Sequence, residues 1–102
     1  MLIIQHLSEM IKEEISDAEK YVQHAVSYQD KDPELAQVFY RLANEELGHM
    51  DALHGQVVRI IEEYKSAGNT PPEGMLMIYN YLHDEMIRDV SEIRKMLSLY
   101  QS

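Results

Sequence analysis

The chain has 102 residues, 45% of them hydrophobic and 26% charged, and a formal net charge of −9. This describes one globular domain with a modest core; the negative charge disfavours nucleic acid and anionic membrane as partners and suits the capture of cations. The absence of cysteine excludes disulfides, thiolate zinc sites and iron–sulfur clusters, while no apolar run nears the roughly 18 residues of a membrane span and Met1-Leu2-Ile3-Ile4 lacks a signal peptide's basic flank, so the expected location is the cytoplasm.

Helical periodicity dominates, and the expected class is all-α. A first helix is expected over about residues 4–28, its seam reading Leu7, Ile11, Glu14, Ala18, Tyr21, Ala25 and Tyr28 in alternating steps of four and three, with Ile15, Val22 and Val26 widening the apolar face. Glu14 is the one charged member of that seam. Gln29-Asp30-Lys31-Asp32-Pro33-Glu34 breaks the pattern: Asp32 suits an N-cap, Pro33 the first helical position and Glu34 the positive helix end. So short a connection returns the chain antiparallel.

The second helix is expected over about 33–65, closed by Ser66-Ala67-Gly68-Asn69 with Gly68 in a left-handed cap. A third helix is expected over about 72–100, opened by Thr70 as cap, Pro71 at the first position and Glu73 completing a capping box. Its seam reads Tyr79, Leu82, Met86, Val90, Ile93, Leu97 and Tyr100, beside an acidic line of Ile78, Leu82, Glu85, Asp89, Glu92 and Met96.

The second helix carries the informative stretch, Glu45-Glu46-Leu47-Gly48-His49. Its apolar residues Leu35, Phe39, Leu42, Leu53 and Ile60 keep a helical spacing which, continued through the gap, falls on Glu46 and His49. A carboxylate facing a core without a partner costs several kcal/mol, order of magnitude. A metal ion would compensate, and Glu-x-x-His places an oxygen and a nitrogen one helical turn apart on one face. Folding the first two helices about Lys31 puts Glu14 17 residues before the centre, Glu46 15 after it and His49 18 after it. At about 1.5 Å of rise per residue the three share one level. They are the candidate metal ligands and catalytic residues.

One Glu and one Glu-x-x-His make half of a di-iron carboxylate set. The only later histidine, His83, has Asn80 three residues before it, so no second Glu-x-x-His follows. The expectation is therefore a homodimer or higher homo-oligomer in which each chain supplies one half, completing a four-helix core by symmetric pairing.

The first two helices, about residues 5–65, resemble the ferritin-like superfamily, in particular its rubrerythrin branch and the encapsulated ferritins. The resemblance rests on Glu14 followed by Tyr21, on the Asp32-Pro33-Glu34-Leu35 turn, and on Glu46-Leu47-Gly48-His49 thirteen residues after Pro33. It implies a non-haem di-iron centre that oxidises Fe(II) with dioxygen or peroxide, formed between two chains. Glu14, Glu46 and His49 carry over as iron ligands, Glu46 bridging and Glu14 terminal, and Tyr21 as a neighbour of the centre or an electron relay. The long third helix departs from encapsulated ferritins, which do not need one. The tail Met96-Leu97-Ser98-Leu99-Tyr100-Gln101-Ser102 shows no loading peptide for a protein shell of the encapsulin kind.

Carboxylates with one imidazole per metal suit iron, or manganese, better than zinc. Glu45, Glu13 and Asp17 stand beside the seam, either as solvated neighbours or as carboxylates at the entry or edge of the metal site, with Asp17, one turn after Glu14, placed to guide a cation inward. Glu85, Asp89 and Glu92 read first as a solvated face of an acidic protein; counting from the facing helix ends brings Asp89 and Glu92 nearer than Glu85 to the level of Glu46, as further ligand candidates. His54, five residues after His49, is off its face, and His6, His24 and His83 have no partner at ligand spacing. Two other classes remain open from sequence: a non-catalytic helical adaptor or oligomerisation module, and a metal-binding protein without turnover.

Overall fold

The computed structural model describes residues 2–70 and 72–100, with the side chains at 74, 75 and 78 outside the described set. The expected place of Pro71 in the third helix, that of Ile78 on its acidic line, and the tail residues Gln101 and Ser102 thus lie outside the described residues. The described chain is all-helical: α1 (Leu2–Tyr28), α2 (Pro33–Ser66) and α3 (Glu73–Leu99). No described helix is long and apolar enough to cross a membrane.

The turns show why the helices stop where they do. Asp32 accepts a hydrogen bond on its side chain from the Leu35 N–H at 3.2 Å, Pro33 opens α2 and Glu34 sits in its first turn. At the other end Gly68 adopts φ +86°, the Gly68 N–H donates to Lys65 O at 3.0 Å and the Asn69 N–H donates to Tyr64 O at 3.3 Å. That pair of bonds is a Schellman cap, which needs a left-handed residue. The start of α3 differs from expectation. Pro72 is the residue before the helix, with no side-chain capping bond, and Glu73 is the first helical residue. Thr70 and Glu73 therefore do not form a capping box. The helix begins later, which leaves Glu73 to favour the helix dipole instead.

α1 and α2 form an antiparallel hairpin along their length, and α3 packs chiefly on α1. The Tyr100 hydroxyl donates to Gln37 Oε1 at 3.1 Å and its ring stacks on Tyr40 at 4.6 Å, so α3 ends where α2 begins and the helices run up, down, up. The particle is a rod of 56 × 18 × 18 Å with a radius of gyration of 16.4 Å. A compact chain of this length would have about 13 Å. So elongated a shape leaves long helix flanks outside the core.

The packing corrects the phase of the expected seams. On α1 the buried line is Ile4, Ser8, Ile11, Ile15, Ala18, Val22 and Ala25. Ile11, Ala18 and Ala25 were expected there. Leu7, Glu14 and Tyr21 are only half-buried and Tyr28 is exposed, while Ile15 and Val22 move from the edge to the centre and Val26 is exposed. On α2 the buried residues are Ala36, Ala43, Leu47, Met50 and Val57, so the expected line through Leu35, Phe39, Leu42, Glu46 and His49 stands one residue, about 100°, to the side. α2 buries its stripe mainly against α1, while α3 covers the hairpin on one side, with Ile93 in the core and Tyr79, Met86, Val90 and Leu97 packed against it. The α3 seam itself lies as expected. Ala18, Ala25, Ala36 and Ala43 are fully buried, and their small size lets α1 and α2 approach closely toward the turn.

Candidate metal centre

Glu14 on α1 and Glu46 and His49 on α2 come together on the flank of the hairpin away from α3. Each offers one ligand atom, and the three atoms lie within 4.8 Å of one another, an arrangement able to hold a metal ion. His49 Nδ1 stands 3.5 Å from Glu14 Oε2 and 3.6 Å from Glu46 Oε1. The side chains of Glu14 and Glu46 are 25% and 18% exposed and that of His49 61%. The rotation of the seam thus makes a shallow site with carboxylates at its floor and an imidazole at its rim. The core position expected for His49 is overturned, and water relieves part of the expected burial penalty.

The floor is electrostatically tense. A hydrogen bond shared with Glu14 raises the Glu46 carboxyl from its ordinary 4.5 to about 7; burial and the charges of Glu14 and Asp17 push the same way, and His49 opposes them. Two carboxylates this close hold a proton between them more readily than two full charges. Glu14 Oε2 is buried and has no hydrogen-bond partner. A proton or a cation at the focus of the three side chains would satisfy that oxygen. The donor set is two carboxylates and one imidazole, which a divalent metal ion can accept.

No family model, curated protein or solved structure matches the chain.

The remaining sequence candidates are placed as follows. Asp17 is exposed one turn beyond Glu14 and acts on Glu46 through its charge. Glu45 is exposed and pairs with Arg41 at 3.8 Å. Asp89 and Glu92 are both exposed on α3, and Asp89 lines a cleft with Ser8, Lys12 and Glu19 of α1, on the side opposite the three-residue group. Only Glu14, Glu46 and His49 form a group of three or more ligand side chains among the described residues searched. Tyr21 stacks on Phe39 with ring centroids 6.2 Å apart, and Tyr28 and His24 join that ring at 6.2 and 5.1 Å. An aromatic patch therefore lies on the same flank as the site, toward the hairpin turn.

Sequence reasoning missed one association. His54 and His83, each without an obvious partner in the sequence, stack at 5.2 Å across α2 and α3, and Tyr79 stacks on His83 at 5.8 Å. Asp51-x-x-His54 repeats the carboxylate-x-x-His spacing of Glu46 and His49 five residues along the helix, but no spacing in the sequence points to His83.

Proposed function

We propose that this chain is a ferritin-like di-iron carboxylate protein that binds and oxidises Fe(II), with the site completed by a second copy of the chain. The observation that carries the reading is the convergence of Glu14, Glu46 and His49 from two helices, with ligand atoms within 4.8 Å. One chain offers half of the ligand set of a di-iron bundle, and a twofold pairing of two flanks would supply the other half.

The flank suits such a pairing. Ile3, Met10, Tyr28 and Leu35 are exposed apolar side chains on the same helix lines as Glu14 and Glu46, above and below the site. A rod that buries little of itself gains from covering them.

The residues divide the work: Glu14 and Glu46 would hold the ion through carboxylate oxygens and His49 through Nδ1, the atom that stands 3.5 and 3.6 Å from them. Anionic oxygens favour Fe(III) over Fe(II), so two substrate ions held together would give one electron each, reducing dioxygen to hydrogen peroxide, or hydrogen peroxide to two waters, with two protons taken from solvent. The proton shared by Glu46 and Glu14 leaves to solvent when the cation enters. Asp17 adds negative charge at the mouth and draws cations inward.

The test is Fe(II) oxidation by E46A and H49A variants, followed by ferric absorbance and oxygen consumption, with helicity checked by circular dichroism. Loss of oxidation with the fold retained is the expected result. Unchanged rates in both variants would sink the assignment. Stoichiometric iron binding without oxygen consumption in the unmodified protein would turn it into a carrier or sensor.

A further inference from the structure

α3 packs chiefly on α1, and where the three helices meet it leaves a gap. α1 contributes Ser8 and Ser16 there, side chains too small to fill the space between Ile11, Ile15 and the α3 residues opposite. A cavity of about 150 Å³ results, bounded by all three helices. An apolar cavity of about that volume takes up benzene. The space therefore admits a molecule of one ring and little more.

The cavity has two kinds of wall. Ile11, Ile15 and Val57 are buried and, with Leu82 and Met86, give it an apolar side. His54 of α2 and His83 of α3 form another side, stacked at 5.2 Å. His54 Nε2 is buried and has no hydrogen-bond partner, a cost that a partner group would relieve. Burial, and after it the neighbouring His83, hold the His54 pKa below its ordinary 6.5, against the charge of Asp51, so the ring is neutral at pH 7. A neutral imidazole nitrogen either donates or accepts, and a hydroxyl can meet it in both cases. The outer torsion of a histidine side chain is broad, so a small turn of the ring presents Nε2 to the cavity.

The mouth selects charge. Lys12, Glu19 and Asp89 are exposed at the lining's edge and Glu85 is half-buried beside them, three carboxylates against one ammonium. Such a rim repels anions.

We propose that this cavity binds one small uncharged molecule per chain, a single ring bearing a hydroxyl, with the ring against Ile15 and Val57 and the hydroxyl on His54 Nε2. A ring held there touches all three helices and so fastens α3 to the hairpin. The cavity shares no residue with the Glu14, Glu46 and His49 group, so the site stands whether or not the chain handles iron.

The probe is phenol, titrated into the full-length chain at pH 7 and followed by NMR. Saturable shifts of the Ile15 and Val57 methyl groups and of the His54 imidazole are expected, and benzoate should cause none. Toluene offers the same ring without the hydroxyl. H54F keeps an aromatic ring beside His83 and removes the nitrogen, so the ratio of phenol affinity to toluene affinity should fall about tenfold. The phenol and benzoate titrations of the unmodified chain need no variant to fold. Phenol shifts that do not saturate or that miss the cavity residues, benzoate binding as strong as that of phenol, or a phenol-to-toluene ratio unchanged in H54F would each overturn the proposal.

Discussion

His49 Nδ1 lies 3.5 Å from Glu14 Oε2, although the two belong to different helices joined by a tight turn. The short turn and the α1–α2 packing set the register of the hairpin at the candidate site, and the contact follows from it. The contact places a nitrogen donor over a carboxylate oxygen that has no other partner.

The first prediction concerns pH and the metal-free protein. Glu46 has a folded-state pKa of about 7 against an ordinary 4.5. Below the lower value both states are protonated and the group is neutral in its effect. Between the two values the folded state holds the proton that the unfolded state has lost, so stability falls as pH rises, and it levels off above about 7. Urea midpoints taken from pH 4.5 to 8 in the presence of chelator should decline for the unmodified chain and stay flatter for E46Q. An equal slope in both would show that Glu46 is not the group responsible.

Cation binding should follow the opposite trend. The ion competes with the shared proton, so Fe(II) affinity measured anaerobically should rise as pH climbs toward and through 7. In E46Q that dependence should be reduced and the affinity lower by at least the about 10–100-fold that loss of an outer partner costs a metal site.

The apolar flank predicts self-association. Phe39 is the ring on which Tyr21, Tyr28 and His24 gather, and it lies on the same side as the site. Sedimentation velocity should detect dimers or larger species of the unmodified chain, and F39D should shift them toward monomer. A chain that remains monomeric both with and without Fe(II) would remove the shared site from the reading.

Two positions test the fold itself. Ile93 is 2% exposed and is the side chain by which α3 enters the core. Ile93→Ala should lower stability by about 2–5 kcal/mol, read from denaturant midpoints, with α3 amides losing exchange protection first. Gly68 holds φ +86° in the cap that ends α2. Gly68→Ala should lower stability by about 1–2 kcal/mol, because a Cβ is disfavoured in that conformation even with open space around it. A neutral result would mean that the cap can be remade without a left-handed residue.

Sequence alone determined the three helices, because that information is local. Periodicity of the apolar residues, Asp32-Pro33 at one turn and Gly68 at the other act within a few residues of chain, and the observed ends fall within one or two residues of those expected. It also brought Glu14, Glu46 and His49 to one level, since a short turn and a fixed rise per residue leave little freedom along the axis. Rotation about the axis was the part left open. Apolar residues on α1 and α2 occupy two adjacent stripes, and either could have been the core. The tertiary structure decided between them: packing of α2 on α1 buried the Val57 side, with α3 and its Ile93 docked over the hairpin, and left Phe39, Glu46 and His49 on the flank. The same docking brought His83 onto His54, a contact between helices that no spacing within either one could specify.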